Sequence, residues 1–122
     1  MGLRALQLER ASGGDGPRVT GFRGRALLID GVAHDGAVIV TPASVDPWDG
    51  RDLAAAAVLD PPPEFVLYGS GATLARPDPA VVAELEARGI GVEAMDTRAA
   101  ARAWTLLRGE GRWITAALLP LS

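Results

Sequence analysis

FVLYGSGATLARPDPAVVAELEARGIGVEAMDTRAAARAWTLLRGEGRWITAALL, Phe65–Leu119, is the stretch whose alternation of strand and helix decides the fold. Phe65 to Tyr68 reads as a short apolar strand buried on both faces. Asp78 then stands as an N-cap with Pro79 at the first helical position. Val81, Val82 and Leu85 follow at helical spacing, Glu84 and Glu86 face water, and Gly89 ends the helix. Ile90 to Met95 is the next strand, and Asp96-Thr97 caps a second helix from Arg98 to Arg108 that stops at Gly109. In that helix Ala99, Ala103 and Leu106 form one stripe and Ala100, Trp104 and Leu107 the adjacent one. The broad apolar arc leaves Arg98, Arg102 and Thr105 on the opposite side. Trp113 to Leu119 is a closing strand, and the short Gly109-Glu110-Gly111 linker lets it turn back to run antiparallel to its neighbours.

Upstream the chain is β-rich. Residues 1–10 read as a short strand, with Leu6 and Leu8 alternating against Gln7 and Glu9, and Ser12 to Pro17 is a turn by composition. The apolar run ending at Asp30-Gly31 and the run from Gly36 to Pro42 suggest a hairpin with a longer loop. After Pro42 the pattern becomes irregular, and Asp52 is placed to cap a short helix over Leu53 to Leu59. Pro61-Pro62-Pro63 ends that helix and forms a rigid extended connector between the two halves.

A chain of 122 residues is expected to form one domain, 1–122, and can bury a core without a metal or disulfide. Its apolar runs are too short to cross a bilayer, and the opening MGLRALQLER lacks the apolar segment of a signal peptide, so the expected address is cytoplasmic. Cysteine is absent, which removes disulfides, thiolate metal sites and cysteine nucleophiles. All 12 cationic residues are arginine, so there is no amine for a Schiff base or a phosphate-loop lysine. The missing lysine and asparagine, beside abundant Ala, Gly, Pro and Arg, fit the codon usage of a GC-rich bacterial genome. With a net charge of −3 and no dense basic run, nucleic acid is not an expected partner. Local patches at Arg4/Arg10 and Arg98/Arg102/Arg108/Arg112 are the places where such a contact would have to form.

Several residues invite a chemical reading. Gly69-Ser70-Gly71 after a strand begins like a dinucleotide fingerprint, yet the third glycine position is Leu74 and the helix waits until Asp78-Pro79. A turn requiring small residues is the better account. Ser70, the single histidine His34 and Asp96 include the residue types of a triad, but Tyr68-Gly69-Ser70-Gly71-Ala72 lacks the G-x-S-x-G spacing. Asp46, Asp49 and Asp52 lack the alternating spacing of a calcium loop, and one histidine cannot build a multi-histidine metal site. Asp96-Thr97 is more interesting: it lies where a strand ends and a helix begins, the edge at which open α/β sheets hold ligands. Gly69-Ser70-Gly71 should end at the same edge, and Arg102 stands further along the helix. Helix capping plus an ion pair accounts for these residues; the alternative is a small pocket for an anion or carbonyl compound.

With these residues in view, the chain resembles the domain-of-unknown-function 498 family, to which complex I assembly factor 3 and the adipogenesis-associated protein belong. The resemblance runs from Thr20 onward through Gly21-Phe22-Arg23, Asp30-Gly31, His34-Asp35-Gly36, Ala37 to Pro42 and Trp48. It continues in Tyr68 to Gly71, Gly89-Ile90, Val92 to Thr97, Ala99-Ala100, Arg102, Glu110 to Arg112 and Ala116 to Leu118. Met95-Asp96-Thr97 with Ala99, Ala100 and Arg102 is its most specific string. One departure is Ala103-Trp104-Thr105, where family members often carry Thr-Tyr-Asn.

The resemblance implies a compact α/β fold in three layers, a central mixed sheet with two main helices and a β-rich N-terminal layer, which agrees with the two halves read above. It carries over no established catalytic activity, and neither a metal nor a cofactor is expected for this chain. The expected function is that of a soluble bacterial binding or assembly-type accessory module for a protein partner. The alternative is a small-molecule binding protein or enzyme that uses Gly69, Ser70, Gly71, Asp96, Thr97 and Arg102.

Overall fold

The computed structural model describes residues 16–122, so the strand expected over 1–10 and most of the following turn lie outside the described residues. Asp30 and Gly31 decide how the N-terminal half folds. Their φ angles of 51° and 80° are the positive values that a two-residue hairpin turn requires. They join β2 (Ala26–Ile29) to β3 (Val32–His34), with Ile29 opposite Val32, and β1 (Val19–Arg23) pairs antiparallel on the other side of β2. The result is a three-stranded sheet in the order β1-β2-β3.

This corrects the hairpin expected between the Asp30-Gly31 run and the Gly36–Pro42 run. The second run, β4 (Val38–Val40), leaves for a different sheet. All its residues are buried, so it needs cover on both faces, which only a strand inside a sandwiched sheet receives. β5 (Val45–Pro47) then pairs antiparallel with β4, in a region that reads as irregular from sequence. Pro47 is tolerated because β5 is an edge strand. The Asp52 cap forms, its carboxylate accepting a hydrogen bond from Ala54 N, but the helix it starts is a shorter 3-10 turn, Leu53–Ala57.

The second half follows as β6 (Phe65–Gly69), α1 (Pro79–Ala87), β7 (Gly91–Met95), α2 (Thr97–Gly109) and β8 (Thr115–Leu118). These strands complete a five-stranded mixed sheet in the order β5-β4-β8-β6-β7. β8 runs antiparallel to β4 as expected, but parallel to β6, with Thr115 opposite Val66. The short linker does not forbid this, because α2 itself, about 20 Å long at 1.5 Å per residue, carries the chain back to the starting end of β6.

Each face of the central sheet has its own core. On one face Val38, Val40, Leu67, Ala116 and Leu118 meet Leu27 and Ile29 of β2 and Ala100 and Trp104 of α2. On the other, Ile39, Val66 and Ala117 meet Leu53, Ala56 and Ala57 of the 3-10 helix and Leu85 of α1. The three-layer α/β arrangement is therefore the one expected. The buried stripe of α2, however, is Thr97, Ala100, Ala101, Trp104 and Arg108, rotated from the expected arc, and Leu106 is left 64% exposed. Trp104 fixes that rotation: it is 1% exposed, and its indole N–H donates to Pro17 O at 3.0 Å, tying α2 to the start of β1. None of the described helices is long and apolar enough to cross a membrane.

Candidate functional site

The end of β6 meets the start of α2 more closely than side chains allow. A Cβ placed on Gly69 would lie 2.9 Å from Leu118 Cδ2, 3.0 Å from Thr97 Oγ1 and 3.1 Å from Thr97 Cα. Glycine is required there by contact, not by a phosphate. Gly71 has a φ of +102°, and its N–H donates to Thr97 Oγ1 at 2.8 Å while its carbonyl accepts from Thr97 N, also at 2.8 Å. Thr97 is fully buried, and its hydroxyl donates in turn to Leu119 O at 2.8 Å. Both functions of that hydroxyl are thus satisfied inside the protein.

Ser70 is bound in the same way. Its backbone N–H donates to Met95 O at 2.9 Å, and its hydroxyl donates to Thr73 O at 2.8 Å, with Met95 O within reach at 3.2 Å. The hydroxyl oxygen also accepts from Ala75 N at 2.9 Å. Asp96 caps α2, its Oδ1 accepting from Ala99 N at 2.9 Å and its carbonyl from Ala100 N at 2.9 Å. The structure therefore brings Gly69, Ser70, Gly71, Asp96 and Thr97 to one sheet edge, and engages the Ser70 and Thr97 hydroxyls and the Asp96 carboxylate in hydrogen bonds within the protein.

Arg102 goes elsewhere. It is exposed, and with Arg98 it flanks a groove of about 440 Å³ between α2 and β1. Val19, Thr20, Gly21 and Phe22 line the β1 side, and Ala101, Thr105 and Leu106 complete the α2 side. The Arg98 guanidinium lies 5.0 Å from the centroid of the Phe22 ring. Sequence reasoning missed this groove because Phe22 and Arg98 are far apart in the chain and β1 has no alternating apolar pattern. The Gly21-Phe22-Arg23 piece of the family resemblance was the one signal pointing to it.

The remaining candidates have structural partners. His34 ends β3 in the three-stranded sheet, opposite Leu27, and Ser70 turns its hydroxyl toward carbonyls. Asp49 Oδ1 accepts from Arg51 N and Asp52 N, bonds that hold its carboxyl below the usual range, while Asp46 accepts from Ser44 Oγ. Opposite the sheet edge, Glu64 accepts two hydrogen bonds from Arg112 and one from Trp113 N, which lower its pKa in that order of importance. Arg112 in turn stacks 5.4 Å from the Phe65 centroid.

Comparison with known proteins places this geometry. The sequence profile described as "Protein of unknown function (DUF498/DUF598)" matches residues 19–119. A protein of Rhodobacter capsulatus named only as uncharacterised is 39% identical over 116 residues, covering 86% of this chain and 93% of its own. The NADH dehydrogenase [ubiquinone] 1 alpha subcomplex assembly factor 3 of Danio rerio is 30% identical over 113 residues, 86% of this chain. The chain spans 65% of that relative's length. A crystal structure of a Bordetella parapertussis protein superposes with a TM-score of 0.77 at 34% identity, covering 87% of this chain and 97% of that one. The chain belongs to the DUF498/DUF598 family.

Proposed function

We propose that the chain acts by binding, as a non-catalytic accessory or assembly-type module for a protein partner. The observation that carries this reading is the closed edge at Gly69-Ser70-Gly71 and Asp96-Thr97. A ligand pocket at the end of an open α/β sheet needs free donors and space. Here the Thr97 hydroxyl already bridges Gly71 N and Leu119 O, and Gly69 leaves no room for even a methyl group. The similarity to an assembly factor points the same way. The competing reading, an anion or carbonyl compound held by Gly69, Ser70, Gly71, Asp96, Thr97 and Arg102, needs donors that those hydrogen bonds occupy and an Arg102 that faces them.

A thermal-shift screen against metabolites and nucleotides, run beside affinity capture from a native bacterial extract, tests the proposal. The expected result is a reproducible protein partner and no ligand whose stabilisation depends on Arg102. A metabolite that raises the melting temperature of the wild type but not of Arg102→Ala, with no partner captured, would replace the proposal with the competing reading.

A further inference from the structure

Building on the interaction-module reading, we infer that the groove between α2 and β1 receives a short extended acidic segment of the partner protein. The groove combines apolar surface with one cationic wall, that of α2. Phe22, Val19, Ala101 and the 64% exposed Leu106 supply the apolar surface. Arg98 and Arg102 supply the charge, and no carboxylate lines the groove or pairs with either arginine among the described residues. On a chain whose net charge is −3, two exposed arginines a helical turn apart with no acidic counterpart among the described residues form a site that selects an anion.

The dimensions select an extended strand. From Arg98 to Leu106 the groove follows α2 for about 12 Å at 1.5 Å per residue. An extended chain at roughly 3.3 Å per residue spans that distance with about four residues. Side chains one helical turn apart are about 5 to 6 Å from each other at Cβ. Alternate side chains on one face of an extended segment are about 7 Å apart. Two carboxylates separated by one residue therefore match the arginine pair, and the residue between them turns the opposite way. The Arg98 guanidinium, already held over Phe22, offers its remaining donors in a planar fork suited to a carboxylate.

Fluorescence anisotropy with a labelled peptide containing Asp-Leu-Asp-Leu, and with its Asn-Leu-Asn-Leu counterpart, reads this directly on the full chain. The acidic peptide should bind at least roughly tenfold more tightly than the neutral one, and its affinity should fall with added salt. Arg98→Glu/Arg102→Glu should lose that preference, while Arg76→Glu, on the far side of the sheet beside α1, keeps it. Leu106→Asp, at a second exposed position, should weaken binding without shifting the melting temperature. Equal affinity for the two peptides, or a preference unchanged in the double arginine variant, would overturn the inference. Concentration-dependent dimerisation abolished by the same double variant would assign the groove to a second copy and equally overturn it. Either result leaves the broader binding proposal standing, because a captured partner that still binds the double variant must use another face.

Discussion

Thr97→Val separates a structural hydroxyl from a ligand-binding one. Valine keeps the shape of threonine and removes only the Oγ, which in this protein accepts from Gly71 N and donates to Leu119 O, both at 2.8 Å. Gly71 is buried, and Thr97 Oγ1 is the acceptor to which its N–H donates, so removing the oxygen takes that partner away. An orphaned buried donor or acceptor costs about 1 to 3 kcal/mol, and the carbonyl of Leu119 suffers less because it retains a second lone pair. The sum is about 2 to 4 kcal/mol, a melting-temperature fall on the order of 10 °C for a domain of this size. Thr97→Ser keeps the hydroxyl and loses one buried methyl, so it should fall by only about 1 kcal/mol. Urea unfolding of the three proteins followed by circular dichroism gives the numbers. If valine matched the wild type while serine was the weaker, the hydroxyl would not be holding the edge shut, and its place in the closed-edge reasoning would collapse.

Three further outcomes follow from contacts at other points of the fold. Gly69→Ala forces a methyl against Leu118 and the Thr97 backbone, so it should destabilise by about 1 to 3 kcal/mol in the same urea assay; a neutral result would show that α2 can slide from the sheet. Trp104→Phe deletes the donor to Pro17 O and leaves space in the core, for a loss of about 2 kcal/mol, and hydrogen exchange should report faster opening of β1; unchanged protection in β1 would mean that Trp104 does not anchor it. Glu64→Gln tests the lowered pKa of Glu64, whose contribution is present above its ordinary value of 4.5 and is lost as pH falls through the depressed folded value. Thermal melts from pH 7 to pH 2.5 should therefore show wild type and variant differing near neutrality and converging in acid, and a gap that widened in acid would contradict the sign.

The sequence exposed local chemistry better than it exposed partnership. Asp78-Pro79, Asp96 and Asp52 mark helix starts because an N-cap acts on amides two or three residues away, and all three cap as read. Val38 to Val40 is equally plain as a strand, but nothing local states whether it pairs back on β2 or crosses to β8; burial on both faces decides, and that is a property of the assembled sheet. β1 escaped notice because Gly21 and a bulge break its pattern, and β5 because its proline reads as a breaker unless the strand is known to lie on an edge. At the candidate site, Gly69-Ser70-Gly71 and Asp96-Thr97 were correctly expected at one edge. That Arg102 faces β1 instead depends on the rotation of α2, which Trp104 sets through Pro17, 87 residues away in the chain.

The closure of that edge has a cause in the residues after β8. In an open α/β sheet the carboxyl ends of parallel strands, here β6 and β7, are where a ligand meets helix amides. Leu119 to Leu121 lie across that position: Leu119 N donates to Gly69 O at 2.9 Å, and Leu121 N donates to Arg25 O at 3.0 Å in the turn that opens β2. A Cβ on Gly71 would stand 3.3 Å from Pro120 O. The segment thus covers the end of β6 with its own backbone and ties the central sheet to the three-stranded layer at the same time. The strand order explains why it can, since β8 sits directly beside β6 and parallel to it, so the chain leaves the sheet at the ligand edge rather than away from it. A fold built this way uses its strand-end edge to hold two layers together, and the recognition surface proposed above is an outer one, the groove between α2 and β1 flanked by Arg98 and Arg102.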